Sequence, residues 1–139
     1  MTASGLIDTG AILALLHEDD RWHERCLAAF SAITVPLATS AAVLAEVFHL
    51  VGRGHHRISR AWTFVHSGAV TVAPIDDGDM AALQALMMRY ADRPMDFADA
   101  TLVHLAEREA LSTVLTVDHA DFETYRIGRR GRFRVVPER

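Results

Sequence analysis

Residues 4–16 read SGLIDTGAILALL, and this stretch indicates the fold class. A short apolar run ends at Asp8, which predicts a buried strand, and the apolar residues that follow are spaced as in a helix. Residues 112–118, STVLTVD, predict a second such strand that ends at Asp118, and residues 119–125 predict a short turn or helix. Strands that alternate with helices in this way are typical of an α/β fold with a mostly parallel central sheet.

The rest of the chain continues this alternation, with local signals where helices begin and end. Ser40 is a good N-cap, and Gly52 or Gly54 can end the helix that follows it. Pro94 marks a break before a helix that begins at Asp96. We therefore expect about five strands flanked by helices. The predicted strands are residues 4–8, 35–40, 69–75, 112–118 and 132–137, and the long helices are residues 9–20, 21–33, 41–54, 56–68, 76–91 and 96–110.

The composition limits the size and class of the protein. With 139 residues, of which 50% are hydrophobic, the chain fits a single domain over residues 1–139 with a sizeable core. Charges interrupt every apolar run, so we predict no membrane helix and expect a cytoplasmic protein. Cys26 is the only cysteine, which excludes an internal disulfide and a cysteine-based zinc site. The sequence contains no lysine, which excludes the lysine chemistry of Walker A loops, Schiff bases and response-regulator receivers.

Acidic residues follow the two predicted strands at the positions where α/β proteins bind ligands. Asp8 and Asp118 should lie beyond the carboxyl ends of their strands, and they share one crevice if the strands are neighbours. A structural explanation also stands, since aspartate is common at helix N-caps and in turns. Glu46 is one of only two polar residues in residues 41–51, which predicts a buried helix and a buried carboxylate. Such a carboxylate needs an arginine partner, a proton or a metal ion.

A pair of aspartates, Asp96 and Asp99, opens the helix over residues 96–110, in the sequence MDFADA. Asp96 is a good N-cap, and Asp99 at the third helical position could complete a capping box. The residues around Asp99 are apolar, so we expect its carboxylate at the edge of the core. This environment favours a chemical function for Asp99, whereas capping is a sufficient explanation for Asp96.

Four acids from distant parts of the chain are thus expected to converge: Asp8, Glu46, Asp99 and Asp118. Several carboxylates in one pocket repel one another strongly, and a divalent cation relieves this repulsion. Ligands that are all oxygen favour Mg²⁺ or Mn²⁺ over zinc. A metal ion held by carboxylates and water is suited to phosphoryl chemistry.

The ordered set of motifs resembles the PIN-domain proteins, and it is most similar to the VapC toxins of bacterial toxin–antitoxin pairs. The resemblance covers nearly the whole chain and implies a PIN-like α/β/α sandwich. The motifs that carry it are LIDTGAILALL (6–16), TSAAVLAEVFHLV (39–51), MDFADATLVHLAERE (95–109), VLTVDHADF (114–122) and FRVVP (133–137).

The resemblance implies a Mg²⁺-dependent endoribonuclease whose acids are Asp8, Glu46, Asp99 and Asp118, with Mn²⁺ as a substitute ion. Thr9 and Thr116 match hydroxyl residues beside the first and last acids, which implies hydrogen bonds to the ligands. Asp96 is an additional acid found in a subset of such sequences. The partners implied are an RNA substrate, a VapB-like antitoxin and a second copy of the chain in a homodimer.

Arginines are the candidate contacts for the RNA backbone, because guanidinium groups bind phosphates with two hydrogen bonds. Each of them could equally be an ordinary surface charge. Two other interpretations of the whole chain stay open: a non-catalytic PIN-like scaffold and a receiver-like regulatory module. The missing lysine argues against the second. The candidate arginines are Arg53, Arg57, Arg60, Arg93, Arg129 and Arg130.

Overall fold

The structure, a computed structural model, describes residues 2–93 and 95–139. The break predicted at Pro94 lies outside the described residues. Within them, seven short strands are present: β1 (Leu6–Ile7), β2 (Leu37–Thr39), β3 (Val70–Val72), β4 (Thr113–Leu115), β5 (Arg126–Ile127), β6 (Gly131–Arg132) and β7 (Arg134–Val136). Seven α-helices accompany them: α1 (Thr9–Leu16), α2 (His23–Ser31), α3 (Ala41–Val51), α4 (His55–His66), α5 (Met80–Arg89), α6 (Phe97–Arg108) and α7 (His119–Thr124).

Five of the strands form one sheet in the order β3-β2-β1-β4-β7. Every pairing in this sheet is parallel, and Leu6 of β1 lies opposite Ala38 of β2 and Val114 of β4. The predicted α/β class, with a mostly parallel sheet of about five strands flanked by helices, is confirmed. The chain leaves β1 towards β2 on one side and later returns to β4 on the other. This reversal places a crevice beyond the carboxyl ends of β1 and β4.

The core lies where the helices cover this sheet. Leu6, Ile7 and Leu115 are fully buried in the central strands. Helix α5 packs against α6, and α1 packs against both α2 and α3. No helix within residues 2–93 and 95–139 is long and apolar enough to cross a bilayer.

The predicted helix boundaries hold where a capping residue marks them. The Ser40 hydroxyl accepts a hydrogen bond from the Val43 amide at 3.3 Å, as expected of the N-cap of α3. Gly52 ends this helix with a φ of +80°, a conformation that glycine adopts without strain. Asp76 and Asp79 form a capping box in the 3₁₀ turn before α5, where the sequence has a run of acids.

One expectation is wrong, and one element of the structure was not expected. Helix α3 was expected to be buried on all sides, but only Val43, Val47 and Val51 are buried, while Leu50 is 58% exposed. An apolar helix can keep one face open when that face borders a cavity or meets a partner. The antiparallel hairpin of β5 and β6 was also not expected. Each of its strands has only two residues, which is too short for hydrophobic alternation to be detected.

Gly5 packs where β1 meets β4, and a methyl group there has no space. An added Cβ would lie 2.9 Å from the backbone oxygen of Thr113, which the sheet holds in place. We expect Gly5→Ala to lower the free energy of unfolding by about 1–3 kcal/mol, the usual effect of overpacking. Urea denaturation measures this change.

Gly54→Ala is the control, because a Cβ at Gly54 meets only the flexible side chain of Arg57 at 3.9 Å. Its effect should stay below about 1 kcal/mol, because Gly54 is the N-cap of α4 and alanine is a weaker cap than glycine. Equal losses in the two variants would mean that β1 tolerates a shift away from Thr113.

Candidate active site

A cavity of about 290 Å³ opens beyond the carboxyl ends of β1 and β4. It is smaller than most sites for organic ligands and is large enough for a hydrated ion and a phosphate group. Its walls come from the first turns of α1 and α6, the middle of α3 and the start of α7. Six of its lining residues are acidic: Asp8, Glu46, Asp96, Asp99, Asp118 and Asp121.

Asp8 lies between β1 and α1 and is only 2% exposed. One carboxylate oxygen, Oδ1, accepts a hydrogen bond from the Thr9 amide at 2.7 Å, so Asp8 caps α1 as well as lining the cavity. The other oxygen, Oδ2, accepts from the Thr116 hydroxyl at 3.1 Å. The Thr116 oxygen also accepts from the Asp118 amide at 3.0 Å. Thr116 therefore connects the two loops that follow β1 and β4.

Gly10 allows these two loops to approach each other. A Cβ at this position would lie 2.6 Å from a methyl carbon of Val117, in the loop after β4. A glycine in the first turn of α1 thus lets Asp8 and Asp118 line one cavity. The sequence prediction that these two acids share a crevice agrees with this geometry.

Asp96 and Asp99 differ in burial and in hydrogen bonding. Asp96 is exposed, and its carboxylate accepts a hydrogen bond from the Asp99 amide at 2.8 Å, as expected of the N-cap of α6. A capping box would also need the Asp99 carboxylate to accept a hydrogen bond from the Asp96 amide. The Asp99 carboxylate makes a tertiary contact instead. The Asp99 carboxylate is 9% exposed and accepts a hydrogen bond from the buried Tyr125 hydroxyl at 2.9 Å.

Glu46 reaches the cavity from α3 but is half-buried, not buried as expected. The exposed side of α3 near Leu50 explains the difference, because Leu50 lines the same cavity and leaves it open to solvent. The Glu46 carboxylate accepts a hydrogen bond from the Thr9 hydroxyl at 2.8 Å. Thr9 and Thr116 therefore both donate to carboxylates, at the positions where hydroxyl partners were predicted.

Asp121 is a cavity residue that the sequence analysis missed. It lies in the first turn of α7, three residues after Asp118, so one helical turn presents both acids to the cavity. The i, i+3 spacing of two aspartates after a strand was the available signal. Asp118 itself is exposed and is the N-cap residue of α7.

The cavity opposes the ionisation of its buried acids. Burial, followed by the charge of Asp99, raises the pKa of Asp8 to about 8. Burial and the charge of Asp96 raise the pKa of Asp99 to about 7, although the hydrogen bond from Tyr125 acts in the opposite direction. Burial is also the first cause that raises the pKa values of Glu46 and Asp121. Shifts of this kind, caused first by burial and then by neighbouring negative charges, are characteristic of functional sites.

The donor set fits a hydrated divalent cation. Among residues 2–93 and 95–139, none of the six acids forms an ion pair with an arginine or histidine. In the same residues, no three histidine, cysteine, aspartate or glutamate side chains lie close enough to enclose an ion by themselves. Mg²⁺ needs no such cage, because it keeps several waters and takes only one or two carboxylates from a protein.

The candidate RNA-binding arginines lie outside the cavity. Among the described residues, none of them belongs to its lining. Arg93 acts on one of the cavity acids, because its charge opposes the rise in the pKa of Asp121. All six candidate arginines are exposed: Arg53 precedes α4, Arg57 and Arg60 lie in its first half, and Arg129 and Arg130 lie in the turn between β5 and β6.

Comparison with known proteins identifies the family. The PIN domain family model matches residues 5–127, which include both central strands and all six acids. The chain belongs to the PIN-domain family. The predicted resemblance to PIN-domain proteins is therefore confirmed.

Individual proteins and solved structures are also similar to this chain. The chain is 28% identical over 134 residues to Ribonuclease VapC26 of Mycobacterium tuberculosis (strain ATCC 25618 / H37Rv), covering 95% of this chain and 99% of that protein. The crystal structure of VapC20 of Mycobacterium tuberculosis, described as a sarcin-ricin loop cleaving toxin, matches with a TM-score of 0.72 and 22% identity, covering 80% of this chain and 87% of that one. PAE2754 of Pyrobaculum aerophilum matches with a TM-score of 0.53 and 19% identity, covering 86% and 78%.

The raised pKa values make the stability of the metal-free PIN domain depend on pH. Between the ordinary pKa of 3.8 and about 8, folded Asp8 binds more protons than unfolded Asp8, so stability falls as pH rises through this window. We expect a lower melting temperature at about pH 9 than at about pH 6 in EDTA, measured by circular dichroism. Saturating Mg²⁺ should reduce this difference, because it binds the ionised acids.

Asp8→Asn should flatten the same pH dependence and raise the metal-free melting temperature at the higher pH. Glu123→Gln is the control, because a hydrogen bond from Arg139 lowers the pKa of Glu123 and the arginine keeps its charge at both pH values. Glu123→Gln should change stability equally at both pH values. A wild-type melting temperature that does not change between the two pH values would contradict the raised pKa of Asp8.

Proposed function

We propose that this chain is a Mg²⁺-dependent endoribonuclease, with Mn²⁺ as a substitute ion, and the toxin of a VapBC-type pair. The observation that carries the proposal is the convergence of six carboxylates, from four distant segments, on one cavity at the reversal point of the sheet. The names of the relatives support RNA as the substrate, since VapC26 is called a ribonuclease and VapC20 a toxin that cleaves the sarcin-ricin loop.

Asp8 and Asp99 are the proposed direct ligands, because they are the most buried acids of the cavity and hydrogen bonds orient both carboxylates. Glu46 and Asp118 are proposed to complete the coordination or to orient the attacking water. When bound, Mg²⁺ supplies water of lowered pKa and a positive charge for the phosphate oxygens. Thr9 and Thr116 hold the carboxylates through the hydrogen bonds that they donate.

The proposed reaction is attack of water on the phosphorus atom of an RNA phosphodiester. The bond between phosphorus and the 3′ oxygen breaks, and the leaving oxygen takes a proton from solvent. A carboxylate of the cavity accepts the proton of the attacking water. Because the 2′ hydroxyl does not attack, the products carry 5′-phosphate and 3′-hydroxyl ends.

We further propose that a VapB-like antitoxin covers the cavity. Leu50 is 58% exposed and lines the acidic cavity, so a peptide with an apolar and a basic side chain complements this surface. A homodimer is proposed on the exposed aromatic surface of α3 and α4. There the rings of Phe48 and Trp62 contact each other in a tilted arrangement with centroids 4.8 Å apart, and Trp62 is 47% exposed.

Metal-dependent RNA cleavage tests the proposal directly. We expect the wild type to cleave structured RNA in Mg²⁺ and to lose this activity in EDTA. Asp8→Asn and Asp99→Asn should each reduce the rate by about 10²-fold or more, because the remaining carboxylates hold the ion poorly. Sequencing of the products should find 5′-phosphate ends.

Asp77→Asn is the matched control, since Asp77 is an exposed acid in the turn before α5. It should cleave at the wild-type rate. Cleavage that persists equally in EDTA and in both site variants would exclude the metal–carboxylate mechanism. Folded wild-type protein that cleaves no RNA in Mg²⁺ would favour a non-catalytic PIN-like module.

The arginines of the β5–β6 turn are expected to contribute to RNA binding and not to chemistry. Replacing Arg129 and Arg130 together by glutamine should raise KM several-fold and leave kcat within about twofold. The dependence of log KM on log salt should fall by about one unit of slope for each arginine that binds a phosphate in the wild type. Arg139→Gln is the control, because Arg139 pairs with Glu123 and is not a proposed RNA-binding residue. A selective decrease of kcat in the double variant would contradict this assignment.

A further inference from the structure

Tyr125 is a fully buried tyrosine whose hydroxyl contacts an acid of the cavity. Its exposed fraction is 1%, and it ends α7, where its amide donates a hydrogen bond to the Asp121 backbone oxygen at 3.0 Å. Its hydroxyl donates to Oδ2 of Asp99 at 2.9 Å. Tyr125 therefore connects the helix that carries Asp118 and Asp121 to the helix that carries Asp99.

The ring of Tyr125 is held on two sides by aromatic contacts. The ring of Tyr90 lies edge-on at a centroid distance of 5.1 Å, and the ring of Phe122 lies edge-on at 5.3 Å. Packing of this kind restricts the ring to one position, so the hydroxyl is fixed relative to the protein core. A hydrogen bond from a fixed donor restricts rotation of the Asp99 carboxylate.

Three acids of the cavity each accept a hydrogen bond from a side-chain hydroxyl. Thr116 donates to Asp8, and Thr9 donates to Glu46. Tyr125 supplies the equivalent hydrogen bond to Asp99, but from a ring that solvent does not reach. Each of these three carboxylates thus has one oxygen held by a protein hydroxyl.

We propose that Tyr125 is a positioning residue, which orients the Asp99 carboxylate for a divalent cation. This inference rests on the proposed metal-dependent function. Tyr125 acts through Asp99, because a ring that is 1% exposed cannot touch RNA. Loss of the hydroxyl leaves the acids in place but allows the Asp99 carboxylate to rotate. The expected effect is therefore weaker metal binding.

Calorimetric titration with Mn²⁺ tests this assignment in the absence of RNA. We expect Tyr125→Phe to bind Mn²⁺ about 10-fold or more weakly than the wild type, as is typical when a hydrogen-bond partner of a metal ligand is removed. In cleavage assays the Mg²⁺ concentration for half-maximal rate should rise by a similar factor. At saturating Mg²⁺, kcat should return to within about threefold of the wild type, because the acids themselves are unchanged.

Tyr90→Phe is the matched control. The Tyr90 hydroxyl accepts a hydrogen bond from the Arg126 amide at 2.9 Å, so this variant also removes a hydroxyl from the same aromatic cluster without touching a carboxylate. Its melting temperature should fall, and its affinity for Mn²⁺ should match the wild type. Equal affinities in the wild type and Tyr125→Phe, or equal decreases in both variants, would overturn the proposal and leave the proposed function intact.

A measurement on the wild type covers the case in which Tyr125→Phe does not fold. The chain has only two tyrosines, so protein labelled with ¹³C at tyrosine Cζ gives two signals, which Tyr90→Phe assigns. Mg²⁺ should shift the Tyr125 signal and leave the Tyr90 signal in place. A Tyr125 signal that does not move while Mn²⁺ binding is demonstrated calorimetrically would overturn the proposal. Absence of any metal binding by the wild type would overturn the proposed function with it.

Discussion

The buried carboxylate of Asp8 stands at the centre of the sheet in a place that opposes its charge. Strand β1 ends there, with β2 and β4 on either side, and water is almost excluded. Hydrogen bonds from the Thr9 amide and the Thr116 hydroxyl favour the ionised form, but burial and Asp99 outweigh them and raise the pKa. The loops around the cavity are therefore built to hold a group whose charge the fold by itself does not neutralise.

A second aspartate in the same fold shows the opposite arrangement. Asp79 accepts hydrogen bonds from the Asp76 amide, His104 and Arg108, and its pKa is lowered to about 2. This acid joins the start of α5 to α6, and hydrogen-bond donors of the protein stabilise its negative charge. The contrast separates an acid that stabilises the fold from the acids of the cavity, whose partners are hydroxyls and amides without positive charge. Such an environment reduces stability in exchange for a defined binding geometry.

Much of this arrangement could be predicted from sequence, because it depends on local patterns. The strand before Asp8 and the strand before Asp118 are visible as apolar runs, and parallel topology then brings both acids to one edge of the sheet. The N-caps at Ser40 and Asp96 follow from residue type and position. Asp121 was missed since a second acid in a short helix resembles an ordinary surface residue. The open face of α3 was missed because apolar composition does not reveal which side of a helix borders a cavity.

The contact between Tyr125 and Asp99 was beyond sequence reasoning for a different reason. The two residues are 26 positions apart, and neither the spacing nor the residue types require them to meet. Their contact depends on where α7 ends relative to α6, which the packing of Tyr90 and Phe122 around the ring decides. Thr9 and Thr116 were predicted only because the resemblance to PIN-domain proteins implies hydroxyl residues beside the first and last acids. Hydroxyl partners that come from the core can therefore be identified only in a structure. Through them, the packing of the core determines how the carboxylates of an acidic site are oriented.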